Sequence, residues 1–215
     1  MHNSNAIATA RLDADAAMRH LRSVEPRLRP LIERHGPPRF KRTRNSFQSL
    51  ARSIIYQQLS GKAAATIYRR FLHLFPTRRF PTTMAVSEMP LARLRAAGLS
   101  GQKAVYLHAL ARKYLQGDIQ PRRFSHMTGP EIMATLTQVK GIGPWTADMF
   151  LIFALNRPDV MPVGDLGVRK GMQRLCALPT LPNPETMRRE AAPWQPFRSA
   201  ASWYLWRLLD EQPDP

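Results

Sequence analysis

The sequence predicts an all-α protein of two helical lobes with a cleft between them, and three observations carry that expectation. Apolar residues recur at helical spacing in nearly every segment, polar cap residues and glycine or proline stops bracket those segments, and strand-like alternation is weak throughout. A length of 215 residues, 44% of them hydrophobic, is enough to bury a sizeable core.

Taken in order, a first helix is expected from about Ala10 to Leu21. In the next segment, from Pro26 to Arg34, Leu28, Leu31 and Ile32 share a face and Gly36 supplies a C-terminal cap. The basic loop GPPRFKRTRNS follows. A helix from Phe47 to about Gln58 turns Leu50, Ile54 and Ile55 inward, and Ser60 is placed to cap another that runs to Phe75, where Pro76 stops it. Ser100 opens SGQKAVYLHALARKYLQG, closed by Gly117. Thr128 and Glu131 have the spacing of a capping box and start a helix through Ile132, Leu136 and Val139. Gly141 and Gly143 end it. Pro144, at a first-turn position where its missing N–H costs nothing, begins a helix through Phe150 and Phe153 to about Asn156. Two more are expected, from about Asp165 to Leu175 and from Pro196 to Asp210, separated by the proline-rich ALPTLPNPE. No repeat at a solenoid period and no low-complexity tract interrupts the pattern.

Charge narrows the function. Lys and Arg number 32 against 15 Asp and Glu, a formal charge of +17, which calls for a polyanionic partner such as nucleic acid. A membrane surface fits less well, because the arginines are scattered rather than gathered on one amphipathic helix. The single cysteine, Cys176, excludes an internal disulfide framework and any four-cysteine zinc or iron–sulfur site within the chain, so a reducing cytoplasm is expected. The N-terminal stretch lacks the apolar core of a signal peptide and no window reaches 18 uninterrupted apolar residues, so a soluble protein is expected. His2, His20, His35, His73, His108 and His126 show no metal-ligand spacing.

The stretch LTQVKGIGPWTA joins two helices through a turn in which Gly141 and Gly143 can take backbone angles closed to other residues. The amides opening the second helix, with the positive end of its dipole, suit a DNA phosphate. An ordinary helix–turn–helix connection with glycine caps would read the same way. The company of the motif decides more. The pattern L-x-x-V-x-G-I-G-x-W-T-A is followed by an apolar helix and D-V-x-P-x-x-D-L-G-V. With RSIIYQQLSGKAA (52–64), GLSGQKAVYLHALA (98–111) and WQPFRSAASWYLWR (194–207), it resembles the helix-hairpin-helix DNA glycosylases of the DNA-3-methyladenine glycosylase II type, from about Phe47 to Arg207.

The resemblance implies a single glycosylase domain over 1–215, in which helices of 1–45 pack with those of 166–215. Residues 46–139 form a central lobe, and 140–165 carry the hairpin, its second helix and a loop to the catalytic aspartate. The resemblance is to the compact form, which is expected to do without the N-terminal β-rich domain of larger bacterial relatives. By the same resemblance Asp165 is catalytic. A carboxylate heading the helix LGVRKGMQRL can accept backbone N–H bonds and face positive charge developing on a deoxyribose; standing alone it would be a plain N-cap. Trp145 stands where lyase relatives carry a Schiff-base lysine, which implies a monofunctional enzyme using water. Lys140, Gly141, Ile142, Gly143 and Thr146 are the implied DNA-binding hairpin, and Lys170 a further phosphate contact. Gln58 and Leu59 fall at the duplex wedge, although Leu59 reads equally as a core leucine. Trp145, Met149, Trp203, Tyr204 and Trp206 are the implied base pocket, with Phe197 a further aromatic candidate, while SWYLWRLL at helical spacing also reads as core. Met149 replaces a pocket tyrosine of some relatives, which implies a less aromatic pocket or one open to bulkier lesions.

No cofactor or iron–sulfur cluster is implied; a structural Na+ or K+ would sit on the carbonyls of Thr137, Val139 and Ile142. The expected activity is release of alkylated purines such as 3-methyladenine and 7-methylguanine. It proceeds by N-glycosidic hydrolysis after base flipping and is the first step of base excision repair. The partner is double-stranded DNA containing alkylated bases, met by a monomer in the cytoplasm of a bacterium or the nucleus of a eukaryote. A non-catalytic DNA-binding module would explain the charge and the hairpin but has no use for Asp165. A lyase acting on oxidised or mismatched bases is disfavoured by Trp145.

Overall fold

The computed structural model describes residues 11–40, 43, 45–76 and 79–210, which form helices and no strand. His2, Ala10 and residues 41, 42 and 44 of the basic loop lie outside them. No helix among the described residues is long and apolar enough to cross a membrane. Contacts divide the chain into two units, Met1–Arg42 with Leu151–Pro215, and Thr43–Phe150. The hairpin and its second helix thus belong to the unit built from the middle of the chain.

The first unit opens with α1 (Ala14–Val24), which starts four residues later than Ala10 because Asp13 caps it, accepting the amides of Asp15 and Ala16 at 3.1 and 3.0 Å. A 3-10 turn (Pro26–Leu28) leads to α2 (Arg29–His35), closed by Gly36 at φ 65. The second unit then runs through α3 (Ser46–Tyr56) and α4 (Gly61–His73), followed by two short helices, α5 (Thr83–Glu88) and α6 (Leu91–Ala96). These two carry too few turns for periodicity to reveal. It continues through α7 (Gly101–Leu115), α8 (Gly129–Thr137) and α9 (Pro144–Met149). The Thr128–Glu131 capping box forms as expected, and Ser100 accepts the Lys103 amide, but Ser60 makes no side-chain cap bond. Phe47, Leu50, Ile54, Ile55, Phe71, Leu107, Leu110, Ile132 and Leu136 fill this unit's core.

After α9 the helix widens into a π turn over Phe150–Ala154 rather than continuing as α-helix to Asn156. The chain then completes the first unit with α10 (Leu166–Leu175), α11 (Pro184–Glu190) and α12 (Arg198–Asp210). Helix α11 starts at the end of the proline-rich ALPTLPNPE and fills part of the stretch between Leu175 and Pro196 in which no helix is expected. Asn183 accepts the Thr186 amide at 2.8 Å and Pro184 occupies the first turn, so the proline starts a helix instead of breaking one. Ala17, Leu21, Leu28 and Ile32 share a core with Val168, Met172, Trp194, Tyr204 and Leu205, so the first and last helices fold together. Within it Trp194 Nε1 donates to Glu25 Oε2 at 3.2 Å, and Arg27 grips both oxygens of the same carboxylate at 2.7 Å.

Helices α10 and α12 meet where α10 has no side chain. A Cβ on Gly171 would lie 2.6 Å from the Leu205 carbonyl oxygen, backbone that cannot swing aside. Gly171→Ala should therefore cost about 1–3 kcal/mol of stability through overpacking, read as a lower urea midpoint with an unchanged slope.

Candidate functional site

Asp165 is the N-cap of α10 and is buried, with Oδ1 accepting the Val168 amide at 2.8 Å. The same oxygen accepts the indole Nε1–H of Trp206 at 2.9 Å. Two donors fix the carboxyl plane, and both come from elements built for other reasons: the first turn of α10 and the inner face of α12. Gly167 makes the second bond accessible. A Cβ there would stand 3.0 Å from Cδ1 of Trp206 and 3.1 Å from both its Nε1 and Asp165 Oδ1. Any larger residue at this position of D-L-G-V would have to displace the indole or the carboxylate by a few tenths of an ångström.

The loop into Asp165 is pinned to the start of α12. Arg198 holds both oxygens of Asp159 at 2.6 and 2.9 Å, and the buried Ser199 hydroxyl accepts the Val160 amide at 3.0 Å. Asp159 and Ser199 were not singled out in the sequence; the signal was the first position of D-V-x-P. The Trp206 ring stacks on Phe153 at 5.5 Å between centroids, and Phe40 meets Phe153 edge-on at 5.5 Å. An aromatic wall made by Trp206, Phe153 and Phe40 therefore stands beside the carboxylate. Phe153 and Phe40 were also unforeseen, because an apolar helix pattern does not say which phenylalanine points outward.

Tyr204, expected in the pocket, is instead fully buried in the core, donating its hydroxyl to the Gly36 carbonyl at 2.8 Å. Burial pushes its phenol pKa up to about 12. Trp203 meets Tyr204 and His35 edge-on and lies under the Arg207 guanidinium, while Phe197 packs against His20. Core packing thus claims Tyr204 and Phe197, and Trp206 is the member of SWYLWR that reaches Asp165.

In the second unit, Trp145 is 45% exposed on α9, with the half-buried Met149 four residues on and so on the same face. Gly141 takes φ 95, and a Cβ there would overlap the Tyr106 ring, so this glycine is doubly required. Gly143 differs from expectation. Its φ is −92 and ψ 176, ordinary extended backbone, with open space where a Cβ would stand. Lys140 and Gly143 are exposed, whereas the side chains of Ile142 and Thr146 are buried in the hairpin's own packing, so a ligand meets those residues only through backbone. The Ile142 amide closes the turn on the Val139 carbonyl at 2.9 Å.

The wedge segment lies between α3 and α4. Gln58 is exposed with φ 54, and Leu59 is 38% exposed, which removes the reading of Leu59 as a core leucine. Lys103 on α7 donates to the carbonyls of Ile55 and Gln57 at 2.8 and 2.7 Å. Burial pushes its ammonium below the ordinary lysine range. Gln57 Nε2 in turn donates to the Gly141 carbonyl at 2.9 Å and to Thr146 Oγ1 at 3.4 Å. Among the described residues no group of three or more His, Cys, Asp or Glu side chains is arranged to hold a metal ion.

A glycine hairpin on a +17 chain and an N-capping carboxylate against an indole are the marks of a helix-hairpin-helix protein. The chain belongs to the HhH-GPD superfamily of base excision DNA repair proteins, whose family model matches residues 51–196. It is 35% identical over 202 residues to DNA-3-methyladenine glycosylase 1 of Schizosaccharomyces pombe, covering 94% of this chain and 89% of that protein. A solved structure of the Schizosaccharomyces pombe 3-methyladenine DNA glycosylase in complex with abasic DNA superposes with TM-score 0.81 at 35% identity, covering 91% of this chain and 97% of that one. A DNA-3-methyladenine glycosidase from Bacillus halodurans also gives TM-score 0.81, at 30% identity over 92% and 90% of the two chains.

The hairpin geometry separates its two glycines. Gly141→Ala should lower the melting temperature and weaken binding to duplex DNA, because both its left-handed backbone and the Tyr106 contact are violated. Gly143→Ala should leave the melting temperature at the wild-type value, and thermal melts of the pair decide the matter.

Proposed function

We propose that the chain is a monofunctional DNA glycosylase that releases alkylated purines from duplex DNA, the first step of base excision repair. The observation that carries this reading is Asp165, buried and doubly hydrogen-bonded at the head of α10, in a member of a base excision repair family. A purine alkylated at N3 or N7 is cationic, so it leaves as a neutral base when the C1′–N bond breaks and takes the bonding pair. Positive charge then develops on the deoxyribose ring. The Asp165 carboxylate faces that charge in the transition state, and a water molecule adds to C1′ and gives up a proton. The donors on Oδ1 keep the carboxylate oriented, so little reorganisation is needed as the charge appears.

Recognition follows from the same side chains. Electron-rich ring faces attract a cationic purine, and the Trp206 and Phe153 rings beside Asp165 offer such faces; in the second unit Trp145 is a further exposed ring, with Met149 one turn on. Hairpin amides and Lys140 grip backbone phosphate, and Gln58 with Leu59 enter the stack where the base has left. Trp145 has no amine to form a Schiff base, so strand cleavage is not part of the reaction. A monovalent cation on the carbonyls of Thr137, Val139 and Ile142 suits this donor set: Val139 already accepts the Ile142 amide, and a carbonyl keeps a second lone pair. The protein acts as a monomer in the compartment that holds the chromosome.

Asp165→Asn keeps the cap bond and removes the charge. Folding and DNA binding should persist, while single-turnover release of 3-methyladenine from methylated DNA falls by about 100-fold or more; release at the wild-type rate would overturn the assignment. Binding to undamaged duplex should weaken steeply with salt, with a slope of about −0.9 in log K against log salt for each phosphate contact. A titration from low to high potassium chloride measures it.

A further inference from the structure

The segment between α3 and α4 has a feature that the wedge role alone does not account for. Gln58 is a non-glycine residue held at φ 54, exposed at the loop tip beside the exposed Leu59. Such backbone costs free energy and persists only where the surroundings over-determine it. Here two side chains do so. The Lys103 ammonium, reaching from α7, takes the carbonyls of Ile55 and Gln57 at 2.8 and 2.7 Å, which fixes the last turn of α3 and the residue just before Gln58. The Gln57 amide then spans to the hairpin, donating to the Gly141 carbonyl at 2.9 Å and reaching Thr146 Oγ1 at 3.4 Å. The hairpin is in turn seated on α7, since Gly141 lies against the Tyr106 ring, three residues from Lys103 on that helix. Lys103, Gln57, Gly141 and Tyr106 thus close a loop of contacts inside one unit.

From this arrangement we infer that Lys103 and Gln57 are positioning residues that make the wedge and the phosphate-gripping hairpin one rigid tool, so that base extrusion is driven by a fixed spacing between them. The inference rests on the reading of Gln58 and Leu59 as the wedge. Neither Lys103 nor Gln57 need touch DNA. A duplex resists unstacking by a few kcal/mol per step, and a wedge on a compliant loop would yield before the stack does. A loop whose carbonyls are tied to α7 and whose side chain is tied to the hairpin transmits the grip on phosphate into the stack. Lys103→Met keeps the stem and removes all three donors; Gln57→Met keeps the length and removes the amide. Lys103→Arg keeps donors in place.

The readout is single-turnover release of 7-methylguanine from two duplexes, one with the lesion paired to cytosine and one with it opposite an abasic site, where there is no partner to unpair. A 2-aminopurine beside the lesion reports unstacking by its fluorescence. Lys103→Met and Gln57→Met should slow release from the paired duplex by about tenfold or more and blunt the fluorescence rise. They should approach the wild-type rate on the abasic-opposed duplex, and Lys103→Arg should recover most of the loss. Leu59→Ala serves as the reference for the wedge. If Leu59→Ala and Gln58→Ala slow both duplexes equally or not at all, the wedge assignment falls and this inference with it. If Leu59→Ala discriminates between the duplexes while Lys103→Met and Gln57→Met do not, the inference alone is overturned.

Discussion

The contact on which the unit holding Asp165 depends is the meeting of α10 with α12 at two missing side chains. Gly167 and Gly171 lie one turn apart on the same face of α10; a Cβ on Gly171 would clash with the Leu205 carbonyl, and one on Gly167 would press on the Trp206 indole. Only at that separation can the indole N–H reach the carboxylate that caps α10. The loop before Asp165 is tied to the same helix through Arg198 and Ser199. Helix α12 is therefore the ruler against which both sides of Asp165 are set, and the buried Trp194 and Tyr204 around it hold that ruler in the core.

This placement also answers why a carboxylate belongs in a chain with a formal charge of +17. The surface charge gathers DNA at long range and carries little information about chemistry. A carboxylate near DNA repels phosphate in the ground state and is useful only where cationic character appears. Burial and two fixed donors hold Asp165 in one orientation, as the role proposed for it at the sugar requires. The arrangement divides the work between a diffuse cationic field and one localised anion.

Much of this was legible in the sequence because it is local. The capping box at Thr128, the cap at Ser100, the proline start at α9 and the Asp165 cap each depend on residues within one turn, and all four formed. The family and its fold followed from motifs of the same kind. What sequence could not give was sidedness and distance. SWYLWR places Tyr204 and Trp206 about 160° apart around one helix, so both cannot face one pocket, and only the tertiary packing decides that Tyr204 faces the Gly36 carbonyl while Trp206 faces Asp165. The two glycines of the hairpin look equivalent in a pattern, yet only Gly141 has left-handed backbone and a ring against it. Asp159 and Lys103 escaped notice because their partners, Arg198 and the carbonyls of Ile55 and Gln57, are remote in the chain. Proline misled once, at Pro184, where it opens a helix.

The π turn at Phe150–Ala154 has a different kind of consequence. As a regular helix, the run FLIFAL would repeat its phase from the turn before; the widened turn resets that phase, burying Phe150, Leu151, Ile152 and Ala154 while leaving Phe153 facing out onto Trp206. The segment is thus tolerant in composition and intolerant in length. Similar apolar side chains could replace Leu151 or Ile152 with modest repacking, but losing one residue would swing the Phe153 ring by about 100° around the helix axis. In a lineage of such proteins, substitutions should accumulate across these five positions far more readily than insertions or deletions.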